Sequence, residues 1–267
     1  MFDKIFEMSQ GKFPDADIMK IKIHTFHAFA NDYLTDAGLV SGEIVGNNLL
    51  RYSVLQSFID NKALTYGKSY IIQTIMPKVE TAIRYIKNFG ITPDKIDLNK
   101  TAKAIEVLHK PTPAYSKADM KAFLKYFVDA YKHYEDSKTD VIDYSDMLLT
   151  FIEKFQGEKY QHVLVDEMQD MNEIEAQIVE MVSENLFLVG DAKQAIFGFQ
   201  GGSIKNFQKF EQSCKPMLLS TNRRSTQQIL GYSKNFFLAY TKHRAKFEKQ
   251  LENFNSSDTG SIPKIFS

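Results

Sequence analysis

The sequence predicts an α/β fold in which a parallel sheet alternates with helices and carries an inserted all-helical subdomain. Three observations predict it. Short continuous apolar runs at 162–165 (HVLV), 186–189 (LFLV) and 216–220 (PMLLS) have the look of strands buried in a parallel sheet. Helical periodicity over 146–155 precedes the first run and over 173–183 separates the first from the second, and strands alternating with helices imply crossover units. Upstream, residues 44–134 show helical periodicity and no strand signal, although residues 21–26 (IKIHTF) alternate like a strand. Strand signals on both sides make the helical stretch an insertion.

In chain order, residues 2–8 read as a short helix, followed by a Gly/Pro-containing turn and the 21–26 strand. A helix then runs from His27 to Asp36. The helical module places Leu49, Tyr52, Leu55 and Ile59 on one face, then Ile71, Ile75, Val79, Ile83 and Ile86 on another. A third face carries Phe123, Tyr126, Phe127 and Ala130, and breaks fall at GITP (90–93) and KPTP (110–113). The organisation expected is 1–40 and 139–214 as one α/β domain, 41–138 as the insertion, and 215–267 as the opening of a second domain.

Composition narrows the class. The 267 residues are 43% hydrophobic and 25% charged, which excludes a disordered tail, a collagen-like repeat and a disulfide scaffold. A single cysteine, Cys214, forbids an intrachain disulfide, no apolar run approaches the length of a membrane helix and the N-terminus lacks a signal-like core, so a cytoplasmic globular protein is expected. The 33 basic and 33 acidic side chains cancel, but unevenly. Residues 161–191 hold eight acidic groups and no Lys or Arg, whereas 192–267 hold twelve basic and four acidic. A metal site beside a polyanion site would look like this, although solvated helix faces also segregate charge by chance.

Three runs carry the chemistry. VLVDEMQD (163–170) ends a buried strand in adjacent carboxylates, at the strand edge where open α/β folds bind ligands. Of the adjacent pair Asp166 and Glu167, one carboxylate can hold Mg²⁺ and its neighbour can orient a water for in-line attack on a phosphate. LVGDAKQAIFGFQGG (188–202) runs a second strand into a glycine-rich loop, with Gln194 near the strand end. Phe197 and Phe199 in that loop suit stacking on unpaired bases, although aromatics are more often core. LSTNRRS (219–225) ends in Arg223 and Arg224, and arginine matches charge developing on a transferring phosphoryl group.

These three runs, in this order and spacing, resemble the motifs of UvrD/Rep-like superfamily 1 DNA helicases. HTFHAF (24–29) is similar to the family's TFHS-type motif, and IKNFGITP (86–93) and IDYSDMLL (142–149) are weaker echoes. The resemblance spans about residues 20–230. It implies a RecA-like parallel sheet of the P-loop NTPase class, ATP and Mg²⁺ as cofactors, and a motor that unwinds DNA, moving 3′ to 5′. Asp166 would hold Mg²⁺, Glu167 would activate water, and Gln194 and Arg224 would reach the γ-phosphate. Gln169 and Asp170 would couple nucleotide state to nearby loops, while Thr25, Phe26, His27, Phe197 and Phe199 would line single-stranded DNA. Partners implied are single strands, single/double-strand junctions and the remainder of the motor.

Departures from the family pattern are Arg223 where it has the Tyr that stacks on adenine, Gln200 where it often has Arg, and Phe197 where it has Tyr. No G-x-x-x-x-G-K-[ST] occurs, so the chain reads as a helicase segment expected to be inactive by itself. A helicase subunit of a helicase–nuclease complex would share these motifs. A degenerate DNA-binding protein that had lost its phosphate loop stays open as well.

Overall fold

The computed structural model describes residues 7–8, 12, 19–39, 43–44, 47–60, 67–108, 116–138, 141–194, 204–241, 244–252 and 254–261. The chain divides into two compact units, Met1–Phe210 and Glu211–Ser267. It is helix-rich, and the described strands form three parallel pairs of two strands each. No described helix is long and apolar enough to cross a membrane.

The first unit opens with α1 (Phe26–Asp36), whose N-cap Thr25 accepts a hydrogen bond from Ala28 N. The expected strand at 21–26 is not there: residues 21–25 are irregular and Phe26 already lies in the helix. Alternation suggested a strand, but the capping oxygen of Thr25 starts a helix within the same run. Of the helix expected at 2–8, only Glu7 and Met8 are described, and both are helical. Next, β1 (Glu43–Ile44) pairs in parallel with β2 (Val141–Ile142), with Ile44 opposite Ile142.

Between β1 and β2 lies the helical module. It contains α2 (Asn47–Asp60), α3 (Met76–Lys87, continuing a π-helical stretch Ile71–Ile75), α4 (Leu98–Leu108) and α5 (Lys117–Asp136). Ser116 and Asp119 close a reciprocal capping box on α5, which satisfies two donors at the start of its 20 residues. Met120, Leu124, Phe127, Tyr131 and Tyr134 recur every three to four residues along α5 and turn inward. Leu124, Phe127, Tyr131 and Tyr134 pack with Val54, Ile71, Val79 and Ile83 into one core. Tyr126 brings its hydroxyl into that core and donates it to Val54 O at 2.9 Å, so the buried polar atom is satisfied.

After β2, α6 (Tyr144–Lys154) carries a capping box of Asp143 and Asp146. α6 packs on α1 through an aromatic cluster: the fully buried Phe151 meets Phe29 at 5.3 Å, Tyr33 at 5.2 Å and Phe155 at 5.0 Å between ring centroids. β3 (Tyr160–Val165), α7 (Glu173–Val182) and β4 (Ser183–Leu188) then form a crossover unit, with Val163 opposite Leu186 and Val165 opposite Leu188. α8 (Ile204–Ser213) follows, with Phe210 buried against Val165 and Val179.

Both strands were expected to be buried on both faces, and this expectation is corrected. Val163, Val165, Leu186 and Leu188 face the cores beneath them. The alternate residues Leu164 and Phe187, opposite one another, are 73% and 56% exposed. Side chains alternate across a strand, and among the described residues no element covers the second face.

The second unit holds β5 (Thr221–Asn222), α9 (Gln227–Tyr240), α10 (Arg244–Leu251) and β6 (Asn255–Ser256), with β5 parallel to β6. The strand expected at 216–220 is displaced to Thr221–Asn222. Met217 and Leu219 are instead 83% and 80% exposed, with no described strand beside them to supply a ladder.

A charged cluster joins the helical module to α6. Lys87, only 3% exposed, reaches Glu135 at 2.8 Å and Asp143 and Asp146 at 2.6 Å each. Lys138, 5% exposed, reaches Glu135 at 2.7 Å and also contacts Asp146. The Tyr134 hydroxyl donates to Asp143 at 2.9 Å. The three carboxylates lie close enough to hold a metal ion, but the two ammonium groups already sit among them and offset most of their charge.

Candidate active site and single-strand face

The site grows from the carboxyl ends of β3 and β4. Past the paired strands the ladder continues, with Val189 N donating to Val165 O at 2.8 Å and Met168 N to Val189 O at 2.9 Å. The chain after β3 must therefore turn within two residues, and Asp166 and Glu167 sit at that turn. Both are exposed, and Asp166 accepts from Glu167 N at 3.0 Å. Glu167 takes a left-handed conformation with φ 54 and ψ 41, the one described non-glycine residue with positive φ. Such a conformation costs energy for any residue with a Cβ and marks a constrained position.

Gln169 ties the turn to the loop after β4. It is 3% exposed, and its Nε2 donates to Glu167 Oε2 at 2.6 Å while its Oε1 accepts from Asp191 N at 3.0 Å. The second loop is organised by Asp191, which accepts from Lys193 N at 3.0 Å and from Gln194 Nε2 at 3.2 Å. Lys193 Nζ lies 2.6 Å from the same carboxylate. Burial alone would raise the Asp191 carboxyl, but the hydrogen bonds from Lys193 and Gln194 and the ammonium charge hold it below its ordinary value. The loops meet at Gly190, where a Cβ would collide with Met168 and stand 2.6 Å from Gln169 Oε1.

Asp170 follows on a short 3-10 turn. Its carboxyl is pushed above the ordinary value by burial and by the Glu167 charge, and its buried Oδ1 has no hydrogen-bond partner among the described residues. Asp166, Glu167, Gln169, Asp191 and Gln194 are thus gathered at one strand edge, with oxygen donors suited to a hard divalent cation. Asp191 is the member that reading the sequence by motif did not single out, although it stands in the same GDAKQ run.

At the N-terminus of α1, Thr25 is exposed and caps the helix, whereas Phe26 is half-buried and packs against two of the cores. His27 is half-buried, its imidazole lowered by burial, and its ring meets Tyr144 edge-on at 5.2 Å and 86°. Phe197 and Phe199 lie outside the described residues. Arg223 and Arg224 belong to the second unit and are exposed. Asn222 Oδ1 there accepts from Arg224 N and Ser225 N, each at 2.8 Å, so the side chain shapes the turn that presents the arginines.

Comparison with known proteins gives a consistent answer. The family described as UvrD/REP helicase N-terminal domain matches residues 3–215. An ATP-dependent DNA helicase PcrA of Leuconostoc citreum is 28% identical over 215 residues, which cover 73% of this chain and 28% of that protein. A probable DNA helicase of Mycoplasma pneumoniae is 23% identical over 94% of this chain and 47% of its own length. DNA helicase II of Haemophilus influenzae is 31% identical over 44% of the chain and 18% of its own length. The chain spans less than half the length of each of these relatives.

Proposed function

The chain belongs to the UvrD/REP helicase N-terminal domain family, and on that premise we propose that it is part of an ATP-dependent DNA helicase or translocase. The motor would run 3′ to 5′ on single-stranded DNA and open duplexes at single/double-strand junctions, working in the cytoplasm in the repair or copying of DNA. What supports the reading most is the joining of Asp166, Glu167, Gln169 and Gln194 at the ends of two hydrogen-bonded parallel strands. In this reading 1–40 and 139–214 are parts of a RecA-like domain, 41–138 is its inserted helical subdomain, and a second RecA-like domain opens at 215.

The chemistry follows from the residues. Asp166 would hold Mg²⁺, which when bound neutralises phosphate charge. Glu167, fixed by its turn and by Gln169, would take a proton from the attacking water at its carboxylate. Gln194, hydrogen-bonded to Asp191, would sense the γ-phosphate, and Gln169 would pass its position to the turn holding Glu167. Asp170 would serve the same coupling. Arg224 would complete the γ-phosphate contacts while Arg223 stacks on the adenine. Thr25 and His27 would face the single strand with Phe197 and Phe199, and Phe26 would support them from the core.

The test is ATP hydrolysis, with and without single-stranded DNA, for the chain joined with the remainder of its motor. Glu167→Gln is expected to lower turnover by about 10²–10⁴-fold while nucleotide still binds. Retained turnover would remove Glu167 from its role. A chain that binds no single-stranded DNA would sink the motor reading itself.

A further inference from the structure

Lys193 is the first basic side chain after the acidic stretch 161–191, and it stands in the loop that follows β4. The strand-edge site carries four carboxylates, Asp166, Glu167, Asp170 and Asp191. Among the described residues, Lys193 alone forms an ion pair with one of them, its Nζ lying 2.6 Å from Asp191 Oδ1. A nucleotide brought to this edge is itself an anion, so what offsets the carboxylates matters.

The pair also decides how a neighbouring side chain is turned. Ala192–Gln194 is a short 3-10 turn, and Gln194 N donates to Asp191 O at 2.8 Å. Lys193 and Gln194 both reach back from this turn to one carboxylate. Oδ1 accepts from Lys193 N at 3.0 Å and meets the ammonium, while Oδ2 accepts from Gln194 Nε2 at 3.2 Å. An ionised carboxylate only accepts, so the Gln194 carboxamide has to turn its nitrogen inward and its oxygen away. A protonated carboxyl could also donate, and either end of the carboxamide would then fit. The ammonium beside Oδ1 favours the ionised form and so selects one orientation. The amide nitrogen has two hydrogens, and the one that Asp191 does not take is available to a phosphate oxygen. Asp191 N meanwhile donates to Gln169 Oε1, so the same residue anchors the bridge to Glu167.

We propose that Lys193 is a positioning residue: its ion pair with Asp191 fixes the orientation in which Gln194 meets the γ-phosphate. Lys193 acts through Asp191 and Gln194 rather than on the nucleotide. The assignment rests on the ATP-motor reading.

The experiment compares the unaltered chain, Lys193→Met and Lys193→Arg by two readouts. The first is the proton–nitrogen NMR spectrum of the full chain without nucleotide, in which Gln194→Ala identifies the Gln194 side-chain amide. Its signals are expected away from those of free glutamine, to move toward them in Lys193→Met, and to stay in place in Lys193→Arg. The second is ATP hydrolysis by the chain joined with the remainder of its motor. Lys193→Met is expected to lower kcat about 10²-fold with KM little changed, as misplacement of a group at the reacting atoms can. Arginine returns the charge and is expected to restore most of kcat. Unmoved amide signals, an unchanged kcat, a loss confined to KM, or equal losses in both variants would each overturn the proposal. An unaltered motor that hydrolyses no ATP overturns the motor reading along with it; a working motor indifferent to Lys193→Met overturns the assignment of Lys193 alone.

Discussion

Gly190 shows how much of the site depends on one missing side chain. Its Cα lies where the turn after β3 and the loop after β4 touch, and a methyl group there would meet Met168 and the Gln169 amide oxygen. Gly190→Ala must therefore part the two loops or displace Gln169, which breaks the hydrogen bonds to Glu167 and to Asp191 N together. The expected cost is about 1–3 kcal/mol of stability, the range for overpacking a tight contact. Thermal unfolding of the variant measures it, and an unchanged midpoint would mean that the loops part freely. The carboxylates of this site were legible because they sit next to one another after an apolar run. The positive φ of Glu167 and the buried bridge through Gln169 were not, since both arise from the ladder continuing past the strand ends.

At the scale of elements, the charged cluster is where the helical module meets α6. Burial would pull the Lys87 ammonium down, but Asp143, Asp146 and Glu135 hold it well above its ordinary value. Burial would likewise push the Asp143 carboxyl up, and Lys87 and Lys138 reverse this and hold it at about 2. A carboxyl lowered in the folded state adds stability above its unfolded value of 3.8, and that contribution is lost as the pH falls toward 2. Lys87→Met leaves three carboxylates facing one lysine and is expected to cost about 3–5 kcal/mol. Its acid-unfolding midpoint should move to higher pH than that of the unaltered chain, as read by circular dichroism. An unmoved midpoint would show that Asp143 draws its low value from elsewhere. The sequence does not disclose this cluster, because Lys87 finds Glu135 and Asp146 at separations of 48 and 59 residues. It does disclose the helices themselves, whose apolar spacing repeats over many turns. The run at 21–26 misleads because alternation over six residues is short enough for one capping threonine to override.

For the whole molecule, the distribution of buried side chains sets where the chain opens first. The first unit has three described cores, two of them with eight or more buried residues. The second unit buries Leu238 and Leu251 among its described residues, while Phe236 and Tyr240 of α9 remain 58% and 76% exposed. Local opening is easiest where few apolar contacts hold the backbone. Amide hydrogen exchange should therefore be fast in α9 and α10 and slow in α2, α5 and α6. Equal protection in both units would contradict this. The α/β character and the long helical stretch were legible from periodicity, which is a property of neighbouring residues. The exposed side of β3 and β4 was not, because an apolar run says that a strand prefers burial and not which layers cover it.

The short pairing of β1 with β2 has a bearing on how this protein can change over evolutionary time. Strands paired in register run about 4.8 Å apart, so the helical module leaves and rejoins the chain at nearly one point. Such an entrance makes it a cassette that can be lengthened, exchanged with a foreign helical bundle, or replaced by a brief loop without re-threading the α1–α6 core. The exchange carries one condition. A donor bundle has to bring its own cations to Asp143 and Asp146, or those two positions have to become neutral at the same time.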